Sequence, residues 1–265
     1  MQKFFVIGDP IAQSKSPAMQ NANFREKEIA AELFAEHVRP EDLSDWVANF
    51  RKEEYGGACI TIPHKVSIMS FLDEIDSFAD EVGAVNTIVN QNGKLIGFNT
   101  DGPGFVQGLE EYNLFGCKIL LIGAGGAARG IYHGFLQKGF TDITIANRTL
   151  KKGLAIGQNV VSLEEAEERL SEFGLIVNTT SVGMYPKIDD CPINLEKLSE
   201  NTIVCDIIYN PYQTKFLTEA AKRNAIIQNG ISMFVNQGAL QFEYWTGLKA
   251  NRKLMKETVL AQLKN

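Results

Sequence analysis

Basic charge is in short supply in this 265-residue chain: 26 Lys+Arg stand against 32 Asp+Glu, a formal net charge of −6 and a pI of about 5.3. That balance leaves no basic footprint for nucleic acid or an anionic lipid surface, so any bound anion has to be held by local geometry. Histidine is scarce too. His37, His64 and His133 have no companion ligands nearby in the sequence, and no metal site is expected. The four cysteines, Cys59, Cys117, Cys191 and Cys205, form no C-x-x-C pair, which excludes a zinc ribbon or a disulfide framework and fits a reducing cytoplasm. Long apolar runs are also missing. The longest uncharged stretch, residues 224–242, is broken by Asn, Gln and Gly, which predicts no membrane span. The opening Met1-Gln2-Lys3-Phe4-Phe5-Val6-Ile7 is too short for a signal-peptide core and lacks a small-residue cleavage site, so a cytoplasmic protein is expected.

What is present is an ordinary globular composition, 45% hydrophobic and 22% charged, which excludes a disordered chain. The length suits one large or two modest domains. Short β-branched or aromatic runs alternate with longer amphipathic stretches, the pattern of βαβ units and a mostly parallel sheet. Strands are expected at residues 3–8, 33–38, 57–62, 118–123, 142–146, 175–179, 202–208 and 225–228. Helices are expected at 17–27, 42–52, 127–138, 163–173, 214–223, 232–246 and 252–263. Residues 85–98 depart from that rhythm, because two strand-like runs flank the hairpin signal Gln91-Asn92-Gly93. A domain boundary is expected at Asn99-Thr100-Asp101-Gly102-Pro103-Gly104, where Gly and Pro cluster before a fresh βαβ series.

The buried-strand pattern Lys118-Ile119-Leu120-Leu121-Ile122 runs into Gly123-Ala124-Gly125-Gly126-Ala127-Ala128 and then a helix. This is G-x-G-x-x-A: the first glycine allows a tight turn, the second lets backbone approach a pyrophosphate, and the small last residue permits close helix packing. The helix start offers unpaired N–H groups to the phosphates. About twenty residues on, where an acid would bind the ribose of NAD, the chain has Asn147-Arg148-Thr149 followed by Lys151 and Lys152. Cations without a carboxylate suit a 2′-phosphate, so NADP is expected over NAD.

Two further segments sit beside predicted strand ends. After the first strand, Gly8-Asp9-Pro10-Ile11-Ala12-Gln13-Ser14-Lys15-Ser16-Pro17 leads into a helix for which Ser16 is the expected N-cap and Pro17 the first helical residue. Capping leaves Ser14 unexplained, and two hydroxyls flanking a helix start can bind a small carboxylate without an arginine. In Thr61-Ile62-Pro63-His64-Lys65, proline ends the third strand and sets a lysine just past its carboxyl end, where ligands gather in α/β sheets. Read alone, Lys65 is more often a surface charge and His64 a structural residue.

The motifs in order resemble the shikimate dehydrogenase family. They are Ser14-Lys15-Ser16-Pro17, Thr61-Ile62-Pro63-His64-Lys65, Gly83-Ala84-Val85-Asn86-Thr87, Asn99-Thr100-Asp101-Gly102 and Gly123-Ala124-Gly125-Gly126-Ala127. They continue with Asn147-Arg148-Thr149, the run from Asn178 to Met184, Asp206-Ile207-Ile208-Tyr209-Asn210-Pro211 and the run from Gly230 to Gln237. The resemblance implies an α/β protein with an N-terminal, mostly parallel substrate-binding and catalytic domain (1–100) and a Rossmann-type NADP-binding domain (101–236). It also implies that the C-terminal helices, 237–265, pack on the first. The implied reaction is the reversible NADPH-dependent reduction of 3-dehydroshikimate to shikimate, on the way to chorismate and the aromatic amino acids. By resemblance, Lys65 and Asp101 are the catalytic pair, Ser14 and Ser16 hold the substrate carboxylate, and Thr61, Asn86 and Gln237 bond its hydroxyls. Asp101 and Tyr209 also face substrate. Gly123, Ala124, Gly125, Gly126, Ala127, Asn147, Arg148, Thr149, Lys152, Gly230 and Met233 would bind the cofactor. The expected partner is a small molecule, with no nucleic acid or membrane, in a monomer or homodimer.

The chain departs from the family at three positions. Cys59 stands where an asparagine usually contacts substrate, which costs about 1 kcal/mol for one hydrogen bond. Gln20 replaces a common histidine, a change expected to touch packing, and Lys152 replaces an arginine, keeping charge but losing the bidentate fork. A quinate/shikimate dehydrogenase using NAD would be favoured by an acid where Asn147-Arg148 stands. A nucleotide-sensing module without catalysis would have no need of Lys65 and Asp101. A methylene-tetrahydrofolate dehydrogenase shares the two-domain plan but leaves Ser14 and Ser16 unexplained.

Overall fold

The structure is a computed structural model that describes residues 1–263. In chain order the first elements are β1 (Gln2–Gly8), α1 (Ser16–Glu26), β2 (Ala31–His37), α2 (Leu43–Lys52) and β3 (Gly57–Ile60). They are followed by β4 (Glu74–Ile75), α3 (Ser77–Val82), β5 (Thr87–Gln91), β6 (Lys94–Phe98) and α4 (Asp101–Gln107). Next come β7 (Ile119–Ile122), α5 (Gly126–Gln137), β8 (Ile143–Ala146), α6 (Leu150–Leu154), β9 (Val160–Val161) and α7 (Leu163–Glu168). The chain continues through β10 (Leu175–Asn178), β11 (Ile203–Asp206), α8 (Lys215–Ala221) and β12 (Ile226–Gln228) to α9 (Ile231–Thr246) and α10 (Arg252–Leu263). Two compact units result: Met1–Gly104 together with the chain from Val235 onward, and Phe105–Phe234.

The first unit is built on a sheet of order β2-β1-β3-β5-β6-β4. Strands β2, β1 and β3 run parallel, and β5 and β6 form the antiparallel hairpin that the Asn92-Gly93 pair demands. Both turn residues take positive φ, 54° and 91°, which suits a two-residue hairpin turn. Successive residues of β1 face opposite ways. Phe5 packs against Phe34, Trp46 and Tyr55, whereas Phe4 lies 5.2 Å from Phe24 and 4.9 Å from Trp245. Phe24 in turn lies 5.4 Å from Phe242 of α9, and α10 packs on α1.

The second unit is an all-parallel sheet of order β12-β11-β10-β7-β8-β9, the doubly wound nucleotide-binding order with β7 at its centre. Along β7, Ile119 and Leu121 enter one core and Leu120 and Ile122 the other, so the strand is apolar throughout because both faces are covered.

Several sequence expectations are corrected. The Gly-Pro cluster near residue 101 begins a helix that was not foreseen: Asp101 opens α4, with its N–H bonded to Asn99 Oδ1 at 3.0 Å, and the division between the two units falls after Gly104. Pro103 falls in the first turn, where no N–H is needed. Ser16 is not the N-cap of α1. Lys15 holds that place, Pro17 is second in the helix, and Ser14 Oγ accepts the Ser16 N–H at 3.3 Å. The helix expected over 163–173 divides into α7 and a 3-10 turn at Leu170–Glu172. The short elements β4, α3, α6 and β9 carried too little periodicity to be foreseen.

Fully buried Phe24 is the central ring of the aromatic stack under β1. Phe24→Ala is expected to cost about 3–5 kcal/mol of unfolding free energy in a denaturant titration, and a loss below about 1 kcal/mol would remove the stack from the core account.

Candidate active site

In the first sheet the connection from β1 passes to β2 on one side, while β3 lies on the other, so the strand order reverses between β1 and β3. A crevice at the carboxyl ends of two such strands is where open α/β sheets bind ligands. The two loops approach closely there. A side chain at Gly8 would come within 2.6 Å of Thr61 Cγ2, and the Asp9 N–H reaches Ile62 O at 3.0 Å. Ser14, Ser16 and Thr61 all lie on these loops or at the helix start that follows, with Ser16 buried and Ser14 and Thr61 half-buried.

Lys65 Nζ lies 2.5 Å from Asp101 Oδ2, with side chains only 17% and 7% exposed. The other carboxylate oxygen, Oδ1, accepts from Asn86 Nδ2 at 2.9 Å. Asn86 is itself held on both sides. Its Nδ2 also reaches Thr100 Oγ1 at 2.9 Å, and its Oδ1 accepts the Thr100 N–H at 2.8 Å and the Thr87 hydroxyl at 2.7 Å. The backbone supports the same cluster, since Val85 N donates to Lys65 O at 2.8 Å and Ile60 N to Asn86 O at 2.8 Å. A buried ion pair needs its remaining lone pairs satisfied to offset desolvation, and Asn86 supplies that bond.

Helix α9 brings buried Gln237 beside the helix that carries Asp101. Gly104 permits this approach, because a side chain there would meet the Gln237 backbone N at 2.6 Å. One turn later is Gln241, which sequence reasoning missed. Its Oε1 accepts from the Cys59 thiol at 3.1 Å and its Nε2 donates to Asn86 O at 3.4 Å. Burial pushes the Cys59 thiol up, so it stays protonated and serves as a donor. The contact joins residues far apart in sequence, and only the unusual Cys59 gave a signal of it. Gln20 is fully buried and donates to Gly238 O at 2.8 Å, a link between α1 and α9. His64 is also fully buried, with Nε2 2.7 Å from Val38 O, and His37 contacts Asp9 at 2.7 Å. His64 thus has the structural place expected of it. Among the described residues, no group of three or more His, Cys, Asp or Glu is placed to hold a metal ion, and no helix is long and apolar enough to cross a membrane.

The second unit holds the nucleotide motif. Gly123 adopts φ +111°, and a side chain there would strike Thr179 Oγ1 at 2.7 Å. Gly125 caps α5 in an extended conformation, and a Cβ on it would meet nothing within 4 Å. The lack of any atom near that Cβ position leaves room for the close backbone approach that a pyrophosphate needs at the helix start, Gly126 and Ala127. Ala124 precedes them in the turn, and the last residue of the motif, Ala128, is fully buried as close helix packing requires. At the end of β8, Asn147 Nδ2 bonds Thr149 O at 2.8 Å, while Arg148, Lys151 and Lys152 are exposed and free to meet a phosphate. Thr149 is the N-cap of α6. Tyr209 stacks on Phe234 at 4.6 Å, and burial pushes its phenol up. Gly230 touches the Ile207 carbonyl so closely that any Cβ would collide, and Met233 is buried in the core beside Phe105.

Known proteins resemble this chain along its whole length. The "Shikimate dehydrogenase substrate binding domain" family matches residues 6–88, "Shikimate / quinate 5-dehydrogenase" matches 107–207, and "Shikimate 5'-dehydrogenase C-terminal domain" matches 230–260. A shikimate dehydrogenase (NADP(+)) of Geobacillus sp. (strain WCH70) is 50% identical over the full length of both chains. A crystal structure of shikimate dehydrogenase in complex with NADP+ matches at 38% identity and a TM-score of 0.93, covering 100% of this chain and 96% of the other. The shikimate 5-dehydrogenase of Thermus thermophilus, solved with NADP(H) and shikimate, matches at 33% identity and a TM-score of 0.91, covering 98% and 99%. With its two α/β units, its doubly wound sheet and this full-length likeness, the chain belongs to the shikimate dehydrogenase family.

Proposed function

We propose that this protein catalyses the reversible NADPH-dependent reduction of 3-dehydroshikimate to shikimate, a step in the synthesis of chorismate and the aromatic amino acids. The observation that carries the reading is the Lys65–Asp101–Asn86 cluster at the carboxyl end of β3 in a chain of this family. The unit of residues 1–104 with the C-terminal helices serves as the substrate and catalytic domain, and the unit Phe105–Phe234 as the NADP domain. The free cysteines suit a cytoplasmic enzyme, proposed to act as a monomer or homodimer.

The chemistry follows from charge. When bound, NADPH supplies the hydride that reduces the substrate carbonyl carbon. Reduction leaves negative charge on the carbonyl oxygen, which calls for a proton and a nearby cation. The Lys65 ammonium provides both, and Asp101 Oδ2 fixes the direction of Nζ. Because Asn86 occupies Oδ1, only one carboxylate oxygen is left to the ammonium. In the oxidative direction Lys65 first gives a proton to solvent and then, as the neutral amine, takes the hydroxyl proton of shikimate.

Ser14 and Ser16 hold the substrate carboxylate at the start of α1, and Thr61, Asn86 and Gln237 bond the hydroxyls. Asp101 holds the reacting hydroxyl in register, and Tyr209 is the second unit's residue assigned to substrate by the family pattern. The Gly123–Ala127 turn holds the pyrophosphate. Arg148, with Asn147, Thr149 and Lys152 beside it, takes the 2′-phosphate, while Gly230 and Met233 line the nicotinamide site. An arginine fork matches a phosphate bidentately and is the group that favours NADP.

Shikimate oxidation followed in parallel with NADP, NAD and quinate is expected to be fastest with shikimate and NADP, and no turnover in any pairing would refute the enzyme reading. Lys65→Ala should lower kcat on the order of 10³-fold while shikimate binding by calorimetry largely survives; near-normal turnover would take Lys65 out of the mechanism. Arg148→Ala should raise the KM for NADP about tenfold and leave that for NAD unchanged, and an equal loss with both cofactors would place Arg148 elsewhere.

A further inference from the structure

Asp206 ends β11 and is almost completely buried, yet the reaction described above does not use it. Its Oδ1 accepts the Ile208 N–H at 3.0 Å and Asn178 Nδ2 at 3.1 Å, and its Oδ2 accepts the Thr214 hydroxyl at 2.7 Å. Asn178, at the end of neighbouring β10, passes the constraint onward. Its Nδ2 also reaches Val182 O at 3.3 Å, and its Oδ1 accepts both the N–H and the hydroxyl of Thr180, at 3.0 and 2.7 Å. Thr180 Oγ1 then accepts the Val182 N–H at 3.1 Å. The segment so fixed, residues 178–182, lies against the nucleotide turn. Thr179 Oγ1 donates to Ile122 O at 2.7 Å, and Thr179 Oγ1 and Thr180 Cγ2 occupy the space into which a Gly123 side chain would point. Strands β7 and β10 are neighbours where the strand order reverses, so this segment forms one wall of the crevice that receives a dinucleotide.

We propose that Asp206 is a positioning residue for the cofactor: as a carboxylate it locks Asn178, and through it the 178–182 segment, against the Gly123 turn, so that NADP affinity depends on its ionisation. The inference rests on the NADP reading above. In the ionised state each donor facing Asp206 meets an acceptor, and Thr214 Oγ1 stays free to accept the Leu217 N–H at 3.3 Å. A proton on Oδ2 makes that oxygen a donor, so the Thr214 hydroxyl gives up its donation there and accepts instead, beside the Leu217 N–H. The negative charge that strengthens the bonds from Asn178 and Ile208 is lost with it, and the hold on Asn178 weakens. Burial pushes the Asp206 carboxyl up to about 6, against which its three hydrogen bonds pull down. The ionisable groups around it are Cys205, next to it on β11, Cys191 in the preceding segment, Lys215 and Glu219 of α8, and Tyr209 beyond the strand end. Lys215 and Glu219 act on Cys191, and no charge among these groups moves Asp206 appreciably.

The substitution Asp206→Asn copies the protonated acid, with an amide N–H where the acid O–H would be. The test is the Kd for NADP measured by calorimetry from pH 5 to pH 8, with shikimate Kd as the control. The 2′-phosphate of the cofactor titrates near pH 6 by itself, so the informative quantity is the ratio of variant to wild-type Kd. That ratio is expected to be about fivefold at pH 8, the loss of roughly one hydrogen bond, and to fall toward one at pH 5, with shikimate Kd unchanged. A ratio that does not vary with pH, or an equal loss for shikimate, would overturn the proposal. Should Asp206→Asn fail to fold, Thr214→Val removes one donor to the carboxylate and should move the pH below which NADP binding weakens to a higher value; an unmoved profile would overturn it equally. A wild-type chain that binds shikimate but no NADP at any pH would refute the cofactor reading itself, and this inference with it.

Discussion

The contact on which the rest of the molecule depends is the ion pair between Lys65 and Asp101. An ammonium and a carboxylate largely removed from water attract strongly, but only a frame that holds both ends keeps the pair in one geometry. Three separate pieces of backbone meet to provide it. The segment after β3 carries Lys65, the hairpin start carries Asn86, and the first turn of α4 carries Asp101. Asn86 is the joint between them, because its amide reaches Thr100 and Asp101 while its carbonyl oxygens tie it to Thr87, Thr100 and Ile60. The hairpin turn at Asn92-Gly93 and the close passage of α9 over Gly104 serve the same arrangement at a distance.

A net charge of −6 is at first sight awkward for a protein of this reading, since both the substrate and the cofactor are anions. The structure resolves it locally. Ser14 and Ser16 lie at the start of α1, and a Cβ on Gly125 at the start of α5 would meet nothing within 4 Å, so the proposed anion sites are two helix starts. Three positive side chains, Arg148, Lys151 and Lys152, follow β8, and apart from them the proposed function requires a cation only at Lys65. Anion binding of this kind depends on backbone placement more than on bulk charge.

Local signals in the sequence located every strand but the two-residue β4 and β9, the hairpin and the glycine turn, because each rests on period, turn chemistry or a tight positive φ within a few residues. Asn92-Gly93 and Gly123 are examples. Signals failed where a local rule had two solutions. The Gly-Pro run at 102–104 lies where the two units divide but gave no sign of α4, because proline is harmless in a first helical turn and Gly104 is needed for contact with Gln237. Ser16 reads as a cap, but Ser14 reaches its N–H instead. What sequence pattern could not supply were contacts between residues distant along the chain, such as Cys59 with Gln241 or Asn178 with Asp206. Their existence depends on which strands and helices become neighbours.

What decides the mechanism is whether Asn86 acts through the ion pair. A double-mutant cycle on kcat at saturating shikimate, where the binding contact of Asn86 with a substrate hydroxyl does not enter, with Asn86→Ala and Lys65→Met measures that coupling directly. If Asn86 serves to hold Asp101 for Lys65, the double variant will be scarcely slower than Lys65→Met alone, because the frame has nothing left to position. Losses that simply multiply would contradict the account and make Asn86 and Lys65 independent contributors.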